Sequence, residues 1–139
     1  MIDETSPFGE RAARRLREEK LAWLTTVDGK GAPQPIPVWF LWDGDRTVLV
    51  YSREPTPKLR NIRRNPRVSL NLDGNGEGGD IVVLLGEARI SEDDPPASRL
   101  PAYVEKYEEY MDRNGWSPDE FARLYSVPIR ITVSRLRGH

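Results

Sequence analysis

Cysteine is missing from the 139-residue sequence, and its one histidine is the last residue, His139. With no thiol there is no disulfide framework, no thiolate zinc site and no cysteine nucleophile, and without an internal histidine the commonest general base is missing too. An excess of charge of one sign is also lacking: 21 Lys and Arg stand against 22 Asp and Glu, a formal net charge of -1. No global field therefore draws the protein onto nucleic acid or an anionic membrane, and anion binding must be local. No run approaches the ~18 apolar residues of a membrane span. The opening MIDETSPFGERAARR lacks the apolar core of a secretory signal, so the expectation is a cytoplasmic protein with no membrane partner. The carboxylates of EDD at 92 to 94 and EKYEEY at 105 to 110 sit in strongly polar settings and read as solvated surface. Neither a metal site nor a side-chain catalytic residue is expected, and an enzymatic reaction here would be carried by a bound cofactor that the protein holds and orients.

What is present fits one compact domain over residues 1–139, with 37% hydrophobic and 31% charged residues. Ser6 and Pro7 read as an N-cap and first helical position, with Phe8, Ala12, Ala13 and Leu16 on one stripe of a helix ending near Glu19. LAWLTTV, PQPIPVWFLW and RTVLVYS, separated by the turn signals DGKG and DGD, predict a three-stranded meander. A short helix over 58 to 65 closes at Asn65-Pro66. RVSLNLD and DIVVLLGEARI, bent at Gly86, supply two more strands, and helices follow over 98 to 113 and 118 to 125, the second opened by SPDE. PIRITVSRL is the sixth strand. The expected class is mainly β (α+β), a six-stranded antiparallel sheet with flanking helices.

Pro33, Pro35 and Pro37 share one parity, so their nitrogens face the same neighbour and none can donate a ladder hydrogen bond. Two readings stay open: an edge strand guarded by proline, or a slot in which the backbone of Val38 and Trp39 meets a flat heteroaromatic ring. Ile36, Val38, Phe40 and Trp42 alternate to the other face, as core.

Five cations, Lys58, Arg60, Arg63, Arg64 and Arg67, then fall within ten residues of a slightly acidic protein. Thr56 stands at an N-cap position and Pro57 at the first helical one, which aims the amides of Lys58 and Leu59 out of a helix start. Such an end attracts phosphate, and Lys58 adds a full charge. The alternative is a short helix with a solvated basic face, its Leu59 and Ile62 turned to the core. The stretch is not a nucleic-acid motif, because no aromatics interleave the cations.

The order helix, meander, YSREPTPKLRNIRRNPRVSL, two strands and a terminal YSVPIRITVSRLRG resembles the pyridoxamine 5'-phosphate oxidase-like split β-barrel superfamily over residues 8 to 137. Within it the sequence looks most like the F420-dependent flavin/deazaflavin oxidoreductases of the B type. The most specific match is S-x-x-x-T-x-K at Ser52, Thr56 and Lys58 with the downstream Asn65-Pro66. The resemblance implies a homodimer with cofactor sites at the subunit interface. It implies that Ser52, Thr56 and Lys58 hold the cofactor phosphate, with Pro57 starting the helix, and that Pro37, Val38 and Trp39 lie along the ring.

FMN-binding relatives typically carry Arg and Lys on the second strand, yet no Lys or Arg occurs here between Lys30 and Arg46. Coenzyme F420, a phosphodiester with an acidic oligoglutamate tail, suits one lysine and an exposed basic groove better, with Arg60, Arg63 and Arg64 attracting the tail. The expected function is hydride transfer from reduced F420 to an unsaturated small-molecule acceptor. FMN-dependent chemistry and non-catalytic binding of a flavin-type or haem-type ligand are the alternatives. The loops over 71 to 80 and 113 to 121 are the candidates for the acceptor pocket, with Trp116 either stacking on the acceptor or anchoring the helices.

Overall fold

The strand expected over residues 33 to 42 is broken in two, and the break organises the sheet. The structure, a computed structural model, describes residues 2–139. After helix α1 (Pro7–Glu18) and strand β1 (Ala22–Val27), the proline-rich β2 (Pro33–Val38) pairs antiparallel with β1 and stops. Trp39 and Phe40 leave the ladder, and the chain resumes as β3 (Leu41–Trp42) against β4 (Thr47–Ser52). Helix α2 (Pro57–Arg64), β5 (Arg67–Asn71), β6 (Val82–Ile90), a 3₁₀ turn (Ala97–Arg99), α3 (Pro101–Arg113), α4 (Pro118–Leu124) and β7 (Val127–Gly138) complete the order.

The antiparallel sheet runs β2-β1-β5-β6-β7-β4-β3. Its two edges, β2 and β3, are separated in the chain only by residues 39 and 40, so the sheet curls until its margins nearly meet. The result is a split-barrel α+β architecture with seven strands, not six. The meander is also corrected: β4 pairs with β3 and β7, and not with the proline strand. Alternation in sequence cannot reveal a crossover that costs two apolar residues and shifts no parity.

β2 is an edge strand, exposed along its length up to Val38. The register runs unbroken from Ala22↔Val38 to Val27↔Pro33, which it can do only if Gln34 and Ile36 carry the ladder and the proline nitrogens face outward. Ile36 is 42% exposed and is no core residue, since among the described residues no strand or helix covers that margin. Val38, Phe40 and Trp42 are buried as expected.

Local signals hold where capping chemistry dictates them. Ser6 Oγ accepts from the Gly9 amide at 3.0 Å to start α1, and Ser117 and Glu120 form a reciprocal capping box on α4. The bend at Gly86 is a β-bulge between Leu85 and Gly86, where a side chain would meet the Thr132 carbonyl oxygen at 2.2 Å.

Two apolar clusters result. One fills the barrel, with Leu16, Phe40, Val50, Leu59, Leu70 and Ile129 among its members. The second lies outside the sheet, where Leu49 and Tyr51 of β4 meet Tyr103, Tyr107 and Met111 of α3 and Phe121 of α4. Burying a ring such as Phe121, 1% exposed, stabilises by about 1.5 to 3 kcal/mol. β4 is consequently covered on both faces, and the aromatic cluster ends beside the crossover at Trp39.

Candidate functional site

The crossover is held from outside the barrel. The Tyr107 hydroxyl accepts from the Phe40 amide at 2.7 Å and lies 2.8 Å from the Phe40 carbonyl and 2.9 Å from that of Lys20. Lys106 Nζ donates to the same Phe40 carbonyl at 2.8 Å. Burial, with Lys20 adding like charge, pushes the Lys106 ammonium down to about 7.

Next to this fixed segment opens a pocket of about 380 Å³. Pro37, Val38 and Trp39 form one part of its lining and Tyr103, Phe121 and Tyr125 another. Its polar members include Thr56 and Lys58, which also line an adjoining cavity of about 220 Å³ with Pro57 and Asn61. Pro57 and Asn61 in turn border a third hollow of about 530 Å³, together with Lys30, Arg60 and Arg64. The three adjoin in series through shared lining residues, a grooved surface apolar at the aromatic end and basic at the other.

Lys58 is the central cation of that groove. It is half-buried, and among the described residues it makes neither an ion pair nor a hydrogen bond through its ammonium; burial alone holds its pKa below the usual lysine value. A desolvated cation with no counter-charge favours binding an anion. Beside it Thr56 has no side-chain cap bond. Ser52 is fully buried and does not line the pocket; its hydroxyl donates to the Arg53 carbonyl at 2.8 Å. The 3.2 Å Ser52–Thr56 contact therefore has Thr56 as donor, and rotation of that one hydroxyl frees its proton for a ligand. The Leu59 amide turns back onto the Thr56 carbonyl at 3.2 Å, which corrects the expectation of two outward amides and leaves that of Lys58, second in its helix, without an intrahelical acceptor.

The basic stretch divides. Arg60 and Arg64 border the third hollow, whereas Arg63 and Arg67 line none of these cavities. Asp28 lies in the same hollow near Arg64, its carboxyl held below the usual range by the amides of Ala32 and Lys30 and the Gln34 side chain. One acid thus offsets part of the positive field.

Of the two loops expected to build the acceptor pocket, 113 to 121 contributes Phe121, and 71 to 80 borders a different hollow near Trp23. Trp116 packs against Trp39, Phe121 and Tyr125 as an anchor. Sequence reasoning missed Tyr51, Arg53, Tyr103 and Tyr125 in the pocket lining, and Asn61, whose buried amide donates to Thr26 Oγ1 at 3.0 Å and fastens α2 to β1. Nothing in their local sequence marks them, because they converge from β4, α2, α3 and the residues that follow β4 and α4.

A family model for pyridoxamine 5'-phosphate oxidase matches residues 8–139. Among solved structures, a conserved hypothetical protein from Mycobacterium tuberculosis is 26% identical, with a TM-score of 0.71 over 92% of this chain and 81% of that one. A pyridoxamine 5'-phosphate oxidase-like protein from Listeria innocua is 24% identical, with a TM-score of 0.67 over 92% of this chain and 94% of that one. An F420 reductase is 22% identical, with a TM-score of 0.63 over 89% of this chain and 94% of that one.

Proposed function

Since the chain belongs to the pyridoxamine 5'-phosphate oxidase family, we propose that it is an F420-dependent oxidoreductase that reduces an unsaturated small molecule. The observation that carries this reading is the graded groove: an aromatic pocket, then the unpaired Lys58, then Arg60 and Arg64. A cofactor with a flat ring, a singly charged phosphodiester and a polyanionic tail has the same order of chemistry along its length.

The residues fit the group. Lys58 and the Thr56 hydroxyl hold the phosphodiester, with Pro57 starting the helix and Ser52 setting the Thr56 rotamer. Arg60 and Arg64 attract the tail through solvent, each contact contributing roughly 0.2 to 1 kcal/mol. Pro37, Val38 and Trp39 border the ring, and the aromatic lining excludes water from the reacting face. When bound, the reduced deazaflavin supplies the hydride. FMN is less well served, since β2 carries no cation for its ring or dianionic phosphate.

The same reading includes a homodimer. Ile36 at 42% and Leu21 at 46% exposure leave an apolar margin at the open β2 edge, and both also border the pocket. A second copy would cover the edge and complete the site. A monomer by light scattering at micromolar concentration contradicts this part.

The activity test is anaerobic oxidation of reduced F420 by a redox dye. Turnover dependent on the protein supports the proposal, and a rate equal to the uncatalysed one contradicts it.

A further inference from the structure

A continuous stack of planar groups crosses the aromatic pocket and ends in a cation. Trp39 lies against Phe121 with centroids 5.1 Å apart and planes 11° from parallel. Phe121 lies against Tyr125 at 4.7 Å and 12°. The Arg53 guanidinium carbon sits 4.7 Å from the Tyr125 centroid. All four residues line the same pocket.

Arg53 is exposed, and among the described residues its guanidinium meets no carboxylate and makes no hydrogen bond, although the chain carries 22 Asp and Glu. A guanidinium held over a ring by cation–π attraction keeps N–H donors free, and these match a carboxylate in a two-bond fork. The pocket is lined by two cations, Arg53 and Lys58, and by no acidic side chain. A phosphodiester neutralises one of them. Arg53 lies at the aromatic end of the groove, away from the Arg60 and Arg64 hollow given to the tail, and is left for a different anion.

We infer that Arg53 and the Trp39–Phe121–Tyr125 wall form a subsite for a planar conjugated carboxylate, with the carboxylate on the Arg53 fork and the conjugated body against the edges of the stacked rings, whose faces are taken by one another, by Tyr107 and by Arg53. Its role as the seat of the hydride acceptor rests on the F420 reading, whereas binding of such a molecule does not. Arg53 is then a residue that determines specificity, taking no part in the cofactor's own attachment.

The test uses the purified protein without added cofactor and two probes of one shape, anthracene-2-carboxylate and anthracene-2-carboxamide, titrated by fluorescence anisotropy. Wild type is expected to bind the carboxylate about tenfold or more tightly than the carboxamide. Arg53→Gln is expected to lose most of that preference, the remainder being the attraction of the unpaired Lys58, with carboxamide affinity unchanged, and Arg53→Lys to recover only part of it. Affinity for F420, measured in parallel, is expected to be the same in Arg53→Gln as in wild type. Equal binding of the two probes by wild type overturns the inference. So does an Arg53→Gln variant that keeps the carboxylate preference, or one whose loss is in F420 affinity, since Arg53 would then serve the cofactor. Arg53-dependent carboxylate preference in a protein that fails to bind F420 would uphold the subsite and remove the cofactor assignment.

Discussion

Trp39 lies flat on Tyr107, with ring centroids 4.7 Å apart and planes 2° from parallel. The Tyr107 hydroxyl continues from that stack to the backbone of Phe40, so one α3 side chain holds both residues of the crossover that joins the two sheet margins.

Tyr107→Phe keeps the ring stack and leaves the buried Phe40 amide without its acceptor. An unsatisfied buried donor costs about 1 to 3 kcal/mol, and calorimetry should find Tm lowered by roughly 3 to 12 °C. F420 affinity should fall with it, because the same segment carries Trp39. A Tm within one degree of wild type would show that the clamp is redundant.

In the proposed reading, Lys58 places cofactor binding at the expense of stability. Its ammonium is half-buried without a counter-charge, so Lys58→Met should leave Tm unchanged or raise it. The same change removes a charge-assisted contact to phosphate and should weaken F420 binding roughly ten- to a hundredfold. A Lys58→Met protein that binds F420 like wild type removes the phosphate assignment.

Lys106 predicts a pH dependence whose sign is opposite to that of a paired lysine. Burial, and then the charge of Lys20, lower its folded pKa to about 7 from the ordinary lysine value of 10.5. Below pH 7 both folded and unfolded states are charged and the desolvation penalty is present in full. Between about 7 and 10.5 the unfolded chain holds more protons, so stability rises with pH across that window. Melting curves from pH 6 to 9 should show a rise in Tm for wild type that is flattened in Lys106→Met. Parallel curves for the two proteins would contradict the shift.

Much of this arrangement is legible in the sequence wherever one residue's chemistry dictates the local outcome. Ser6, the capping box at Ser117 and Glu120, the proline edge and the Thr56-Pro57-Lys58 helix start are all of that kind. The step from one sheet margin to the other at Trp39 and Phe40 is invisible to a period-two pattern, since both residues are apolar and the alternation persists through them. Ile36 looks like core for the same reason, and its exposure follows only from the absence of a neighbour beyond β2. The pocket's far wall is assembled from Tyr51, Tyr103, Phe121 and Tyr125, whose approach depends on how α3 and α4 dock on β4. No local signal encodes such a meeting.

Arg60 and Arg64 border the hollow assigned to the tail. Their contribution is long-range and screened, so affinity for long-tailed F420 should fall with salt and with shortening of the tail. The Arg60→Ala/Arg64→Ala double variant should lose that sensitivity to tail length while retaining normal turnover at saturation. Identical tail-length dependence in both proteins would make the two arginines a solvated face only.

The central claim is that this groove is built for F420 in preference to FMN, and equilibrium binding tests it most directly. Titration of the purified protein with each cofactor, followed by quenching of intrinsic tryptophan fluorescence at two salt concentrations, should give F420 affinity at least tenfold tighter than that for FMN, a gap that narrows as salt rises. FMN binding as tight as F420 or tighter, or no saturable binding of F420, would contradict the account.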